Sequence, residues 1–300
     1  MKYGKYLINY TNSLKDKNII VTGANAGLGF ECSRYILFLG GNLIMACRNL
    51  EKATLAKEEL LKEFPSSKID IVVYDQASFI SIYEAYNDIS KYDHIDGVIC
   101  NAGIYYPKKS MKTKDDFELT IGTNYLGLSY FLDLMETILI NNQTKVIVVN
   151  SLTAYLSKSV SVEYAQKLSR NKVYGTSKLF LSEETFDRME ENKYPLVLAH
   201  PGITATNILS SKDTGLSSTF ALLGRKFLNI FTHSAEKAAL SLVIGLVCEY
   251  KPLMYIKPRG LFAISGYPKI KKMPKKFRNK NRLNTTRLFT QKVGQNVISK

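Results

Sequence analysis

Short runs of branched apolar residues alternate along this chain with longer stretches whose apolar positions recur every three or four residues. NIIVTG at 18–23, NLIMACR at 42–48, KIDIVVYD at 68–75, HIDGVICNAG at 94–103, KVIVVNS at 145–151 and YPLVLAHPG at 194–202 read as strands. Their nearly continuous apolar cores fit strands covered on both faces. Between them, helices are expected at 26–40, about 49–63, from the third strand to the fourth, about 115–141 and about 172–192. Strand and helix alternating at this spacing predict βαβ units and a parallel sheet with helices on both faces. No linker rich in Pro, Gly or Ser precedes residue 250, and no internal repeat is present. The expected fold class is therefore α/β, a single doubly wound domain.

Composition changes this picture only at the end of the chain. Hydrophobic residues make up 45% of the 300 and charged residues 22%, ordinary values for a globular protein. The net charge of +15 is concentrated: residues 251–300 hold 14 Lys and Arg and no acid, leaving 27 basic against 26 acidic residues before them. The expected division is a catalytic domain over 1–250, with a lid segment at about 207–232, and a basic C-terminal extension over 251–300. Cys32, Cys47, Cys100 and Cys248 are scattered and form no CxxC pair, which argues against a disulfide framework or a zinc site. No apolar run has signal-peptide or membrane-span length, so a cytoplasmic protein is expected.

The first strand runs into TGANAGLG at 22–29, where Gly23, Gly27 and Gly29 follow the spacing GxxxGxG. A glycine turn between a first strand and a first helix lets backbone N–H groups and the helix N-terminus face a pyrophosphate. Glycines also serve ordinary tight turns. At the end of the second strand, MACRN offers Arg48 where a dinucleotide fold usually has an acid for the ribose hydroxyls. A guanidinium suits a 2′-phosphate, which favours NADP over NAD. The bland alternative is a solvated surface arginine.

In NKVYGTSKLF at 171–180, Tyr174 and Lys178 stand one helical turn apart on the same face. A YxxxK pair alone occurs by chance in many proteins. Here it is one of seven motifs in order: TGANAGLG at 22–29, Asp75 closing the third strand, NAG at 101–103, Asn124 in TNYLGL, Ser151 ending VVNS, YGTSK at 174–178 and PGITAT at 201–206. Over roughly residues 17–250 the chain thus resembles the short-chain dehydrogenase/reductase family.

That resemblance implies a Rossmann-type fold and a catalytic set of Asn124, Ser151, Tyr174 and Lys178. Tyr174 would give or take the carbonyl proton. Lys178 would hold the nicotinamide ribose and lower the phenol's pKa from its usual value of about 10. Ser151 would hydrogen-bond the substrate oxygen as charge develops there. Asn124 would anchor a water chain from Lys178 to solvent. The cofactor-binding set would be Gly23, Asn25, Gly27, Leu28, Gly29 and Arg48, with Asp75 on the adenine amino group. Asn101 and Gly103 would shape the floor under the adenosine ribose. Tyr174, Lys178, Pro201 and Gly202 belong to the same set, and Thr206 would contact the nicotinamide amide. As bare residues, Ser151 could end a strand, Asn124 could be an ordinary helix residue, and Asp75 could cap the following helix.

Ser151 and Tyr174 are 23 positions apart, a longer gap than is usual in the family. With ACRN and FTHSAEKAALSLVIGLVCE at 231–249, this resembles the retinol-dehydrogenase-like branch that includes the WW-domain-containing oxidoreductases. Members of that branch often reduce or oxidise retinoids, steroids or lipid aldehydes with NADP; the resemblance carries over the cofactor and not the substrate. Gln76, where Leu or Val is usual, departs from the pattern. GLSSTFALLGRKFLNIF at 215–231 is apolar, either a cover for the substrate or a helix packed on the core. The segment YPKIKKMPKKFRNKNR at 267–282, with eight cations, has three readings: a solvated extension, a contact with anionic membrane in which Ile270, Met273 and Phe277 dip into the interface, or a nucleic-acid patch without a recognition motif. No specific nucleic acid is expected. Pairing into a homo-oligomer through the helices at 115–141 and 172–192 follows from the resemblance alone. The main reading is an NADP-dependent oxidoreductase acting on a small alcohol or carbonyl. A non-catalytic NADP-binding protein that uses its basic tail is the alternative, and a sugar-nucleotide epimerase is disfavoured.

Overall fold

The computed structural model describes residues 2–8, 14–105, 107, 111–203, 234–279 and 282–298. Alternating elements appear where the apolar runs predict them. In chain order they are α1 (Gly4–Ile8), β1 (Asn18–Thr22), α2 (Gly27–Phe38), β2 (Asn42–Cys47), α3 (Leu50–Glu63), β3 (Ile69–Val73), α4 (Phe79–Ile89) and β4 (Gly97–Cys100). There follow α5 (Leu119–Ile121), a π-helical turn over Gly122–Leu126, α6 (Gly127–Asn141), β5 (Lys145–Val149), α7 (Thr153–Leu156), α8 (Val162–Ala165), α9 (Arg170–Glu191) and β6 (Leu196–Ala199). The last are α10 (Ala235–Val247), β7 (Met254–Pro258), β8 (Pro268–Lys272) and α11 (Arg282–Ile298). Asn49, Ser78 and Ser234 cap α3, α4 and α10 with their side chains, which fixes where those helices begin.

The strands form one sheet in the order β3-β2-β1-β4-β5-β6-β7-β8, parallel except for β8. Successive residues of a strand feed opposite cores. Ile20, Ile44 and Val98 pack under α4, α6 and α9, while Ile19, Val21 and Ile99 pack under α2 and α10. Both faces are thus dry, as the continuous apolar runs require. The strand order reverses between β1 and β4, where the crossovers leave to opposite sides and open a crevice at the strands' C-terminal ends.

The single helix expected over 115–141 is broken. A bridge between Lys112 and Glu118 and a π-turn precede α6, and Asn124 sits in the π-turn. The long gap between Ser151 and Tyr174 folds into α7 and α8. The apolar segment 215–231, the proposed lid at 207–232 and Thr206 lie outside the described residues.

Residues beyond 250, read from their charge as a basic extension, join the same sheet. β7 pairs with β6, and its Met254, Tyr255 and Ile256 are buried. β8 pairs with β7 and turns Lys269, Ile270, Lys271 and Lys272 outward, a lysine-rich edge that discourages further strand pairing. Met273 and Phe277 are fully buried, so they cannot dip into an interface; the Phe277 ring packs 4.6 Å from Tyr155. α11 lies across α6 and α9, the helices through which pairing with a second copy was expected, so part of that face is covered by the chain itself. Arg287 reaches Asp133, Glu136 and Glu191, and Arg282 reaches Glu183 at 2.9 Å. A charge count along the chain does not reveal this, because the acids that pair with the tail belong to α6 and α9.

Phe277→Ala is expected to cost about 3–5 kcal/mol of stability in denaturant unfolding, as for other buried aromatic truncations. A solvated tail would lose nothing measurable.

Candidate functional site

The turn between β1 and α2 is compressed against the end of β4. Gly23 and Gly27 have φ of 67° and 55°, left-handed conformations that glycine adopts without strain. A Cβ on Gly29 would stand 2.2 Å from the carbonyl oxygen of Gly23 and 2.6 Å from Nδ2 of Asn101. Asn101 Nδ2 donates to the carbonyl of Thr22 at 2.9 Å, and Thr22 Oγ1 accepts from the backbone N–H of Asn101 and Ala102, each at 2.9 Å. The glycine turn and NAG are thereby one unit. The first turn of α2 has no side-chain cap, so its N–H groups are presented to the crevice.

A cavity of about 390 Å³ opens there, lined by Gly23, Asn25, Gly27, Leu28, Arg48, Asp75, Asn101 and Gly103 among others. Asn49 and Lys52 line it too. Lys52, four positions after Arg48 and in the first turn of α3, is a second cation at this cavity that was not among the expected residues. Asp75 Oδ1 accepts from Ala77 N–H at 3.1 Å just ahead of α4, whose cap is Ser78, and the residue borders the cavity. Gln76, noted only as a departure, is a buried clamp. Its Oε1 accepts from the Tyr74 hydroxyl at 3.0 Å, and its Nε2 donates to the carbonyls of Ala102 at 3.1 Å and Thr123 at 2.6 Å. It ties the end of β3 to the NAG turn and to the π-turn.

A second cavity of about 320 Å³ shares Leu28, Asn101, Gly103 and Ile104 with the first, so the two form one cleft along the strand ends. Ser151, Tyr174, Lys178, Pro201 and Gly202 line it. Ser151 follows β5, and its Oγ accepts from the Thr153 hydroxyl at 3.0 Å and lies in hydrogen-bond contact with the Tyr174 phenol. The Tyr105 ring stands edge-on to Tyr174 with centroids 4.7 Å apart. Asn150, whose buried amide finds no partner among the described residues, lines the same cavity. Asn124 stands behind it: Oδ1 accepts from Ile104 N–H at 2.8 Å, and Nδ2 donates to the Ile104 carbonyl at 2.9 Å and to Ser177 Oγ at 3.3 Å. Single-turn π-bulges of this kind recur at functional positions.

The electrostatics differ from the expectation. Lys178 Nζ donates to the Val149 carbonyl at 2.9 Å, and burial pushes its pKa down to about 8. Burial likewise pushes the Tyr174 phenol up to about 12, with the Ser151 hydrogen bond pulling the other way. Among the protein's own groups, then, Lys178 does not lower the phenol. A helical turn of separation brings the two side chains to one face, but desolvation is the largest cause of each shift. The glycine cradle that a Cβ would fill, the uncapped α2 terminus and the unpartnered Asn150 amide fit a dinucleotide laid along the cleft.

A buried lysine also affects stability. Its folded pKa lies below the usual value of about 10.5, so between about pH 8 and 10.5 the unfolded chain holds the extra proton and stability rises with pH. Lys178→Met is therefore expected to be more stable than the parent at pH 7, by on the order of 1–3 kcal/mol at 1.4 kcal/mol per unit. Denaturant unfolding should find this advantage fading as pH approaches 10.5.

The family model for short chain dehydrogenases matches residues 17–216. The WW domain-containing oxidoreductase of Gallus gallus is 29% identical over 203 residues, covering 65% of this chain and 48% of that protein. Its human counterpart is 34% identical over 139 residues, 45% of this chain and 33% of that one, so the chain spans half or less of these relatives' length. Retinol dehydrogenase 12 of Homo sapiens is 28% identical over 251 residues, covering 80% of this chain and 76% of that protein. Among solved structures, levodione reductase superposes with a TM-score of 0.65 at 17% identity, covering 78% and 91% of the two chains. A short chain dehydrogenase of Shigella flexneri complexed with NADP gives 0.61 at 16%, covering 78% and 92%. One from Burkholderia phymatum in complex with NAD gives 0.57 at 15%, covering 76% and 85%. At these identities the structural likeness speaks for the fold alone. The family match spans two thirds of the sequence, and the chain belongs to the short-chain dehydrogenases, in the retinol-dehydrogenase-like branch.

Proposed function

We propose that this short-chain dehydrogenase interconverts an alcohol and an apolar aldehyde or ketone with NADP, using Tyr174 as acid and base. One observation carries the reading: Ser151, Tyr174 and Lys178 line a cavity continuous with the glycine-lined cavity that holds Arg48. A nicotinamide cofactor, when bound, exchanges a hydride with the substrate carbon. The remaining work falls to the protein. Ser151 Oγ donates a hydrogen bond to the substrate oxygen as negative charge grows on it. Tyr174, held neutral at physiological pH by burial, gives that oxygen its proton in the direction of reduction. Lys178 keeps a cation beneath the cleft, where it would hold the nicotinamide ribose. Asn124 braces Ile104 and Ser177, and so holds the cleft floor against α9.

Arg48, with Lys52 beside it, supports NADP over NAD, since two cations at the end of β2 suit a 2′-phosphate. The structural neighbours include complexes with either nucleotide and do not discriminate. The retinol dehydrogenases among the relatives support an apolar substrate.

Initial rates of NADPH oxidation with retinal, steroid ketones, aliphatic aldehydes and quinones test the reading. Tyr174→Phe is expected to lose about 100-fold or more in kcat while still binding NADPH. Turnover that survives in that variant would remove Tyr174 from the chemistry. Arg48→Ala is expected to raise the KM for NADPH about tenfold, a loss near 1.4 kcal/mol, and to leave that for NADH nearly unchanged.

In the same reading the exposed Lys269, Lys271 and Lys272 of β8 support a peripheral contact with an anionic membrane. Co-sedimentation with phosphatidylserine vesicles should fall when the three are changed to Glu. Binding unchanged by the reversal would end that part of the reading. No described helix is long and apolar enough to cross a membrane.

A further inference from the structure

The insertion between Ser151 and Tyr174 has a cavity in front of it and the end of the chain behind it. The cavity, of about 640 Å³, shares Tyr105, Thr153 and Tyr174 with the catalytic one. Leu156, Val160, Tyr164 and Leu168 give it an apolar wall, and Leu156 and Tyr164 keep 87% and 57% of their surface exposed. A molecule whose carbonyl lies against Ser151 and Tyr174 therefore has room for an apolar portion between α7, α8 and the start of α9. α7 is fixed by its close approach to α9, where a Cβ on Gly175 would meet Ser157 Oγ at 2.4 Å. Residues 158–161, which lead from α7 to α8 and include Val160, belong to no helix or strand.

What holds that stretch comes from beyond residue 250. Phe277 lays its ring on Tyr155 of α7, with centroids 4.6 Å apart. Arg282, the first residue of α11, is only 9% exposed, and its guanidinium reaches three places at once. Nε donates to Glu183 Oε2 at 2.9 Å, Nη1 donates to the Val160 carbonyl at 3.2 Å, and Nη2 donates to Ser159 Oγ. Ser159 Oγ in turn donates to Glu183 Oε2 at 3.0 Å. Asn279 Nδ2 reaches the same two residues, at 3.3 Å and 3.2 Å. One side chain thus ties α9 to the backbone of a residue that lines the cavity. The anchor is itself well braced. Arg282 Cζ lies 4.0 Å from the centroid of the Phe180 ring, two positions after Lys178. Phe180 packs at 5.3 Å on Tyr125 of the π-turn, whose hydroxyl is hydrogen-bonded to Thr286 of α11. The wall is therefore referred to the same two elements that carry Lys178 and Asn124.

We propose that Arg282 is a positioning residue for the substrate: it sets the wall at Ser159 and Val160 against α9, and so gives the third cavity the shape that takes the substrate's apolar portion. The inference rests on the alcohol–carbonyl reading above; it says where the apolar part lies and which distant residue decides its fit. The occupant follows from continuity, since the cavity meets the catalytic one at Tyr174. Arg282 is not among the described lining of any of the three cavities, so its effect falls on binding of the apolar portion and not on the chemistry. A planar fork is what the position requires. A lysine offers Glu183 a cation but is a point charge on a flexible stem, and it cannot hold Glu183, Ser159 and Val160 together.

The test compares KM and kcat for decanal and butanal in the full chain and in Arg282→Lys. Glu183 keeps a cation in that variant, and unchanged NADPH binding certifies its fold. The KM for decanal is expected to rise about tenfold, while kcat and both constants for butanal stay within about twofold. A merely structural role would move both aldehydes alike. Ser159→Ala, on the exposed stretch, removes one arm of the contact and should raise the decanal KM in the same direction, about threefold; it carries the test alone if Arg282→Lys does not fold. Equal changes for the two aldehydes, or no change in either variant, overturn the proposal. Calorimetric titration with decanol separates this inference from the reading beneath it. Decanol binding that Arg282→Lys or Ser159→Ala weakens supports the positioning role even if no aldehyde is turned over, in which case the oxidoreductase reading fails. Decanol bound equally by parent and variants, or by none of them, overturns the positioning role even if aldehydes are turned over.

Discussion

The contact on which the site depends is the close approach of the β1–α2 turn to the end of β4. Gly29 lies so near the Gly23 carbonyl and the Asn101 amide that no side chain fits between them. Thr22 then uses one hydroxyl to hold two successive N–H groups of the NAG turn. This contact occurs where the sheet order reverses, the place at which a doubly wound fold leaves its strand ends uncovered. With the turn held down, the α2 N-terminus faces the crevice rather than a capping side chain, and the two cavities run together. Gln76 extends the same restraint sideways, from β3 through NAG to the π-turn that carries Asn124.

A second cost is electrostatic. Lys178 and Tyr174 are both held where water is scarce, and each is driven toward its neutral form. A fold selected for stability alone would not place a cation there, since an apolar residue of like size fits the same space without a desolvation penalty. The other buried cations are differently kept. Arg188 is met by Glu184 at 2.9 Å and Asp133 at 2.7 Å, and Arg282 by Glu183. Lys178 is met by the Val149 carbonyl rather than by an acid, which suits a group whose charge is wanted by something in the cleft.

α9 links these features. Its outer face receives α11 and the charged anchors of the chain's end, while its inner face carries Arg170, Tyr174 and Lys178 at three depths. The insertion that precedes it supplies a separate wall, so the helix borders two adjoining cavities.

Much of this was legible in the sequence. Six apolar runs gave six strands, because a strand buried on both faces leaves a continuous apolar signature that local physics cannot hide. Gly23 with Gly27, and Tyr174 with Lys178, were legible as neighbours, because their spacing follows a turn and a helix whose geometry is local; the sheet brings Ser151 to the same cleft. Tertiary structure decided the rest. β7 and β8 escaped notice because Pro and Lys interrupt their apolar runs, and only pairing with β6 makes them strands. The basic tail took its meaning from acids more than 90 positions away in α6 and α9, which no local count of charge can pair. The direction of the Tyr174 and Lys178 shifts likewise came from burial, a property of the packed protein. Spacing along a chain fixes which groups can face one another; only the fold determines how much water is left between them.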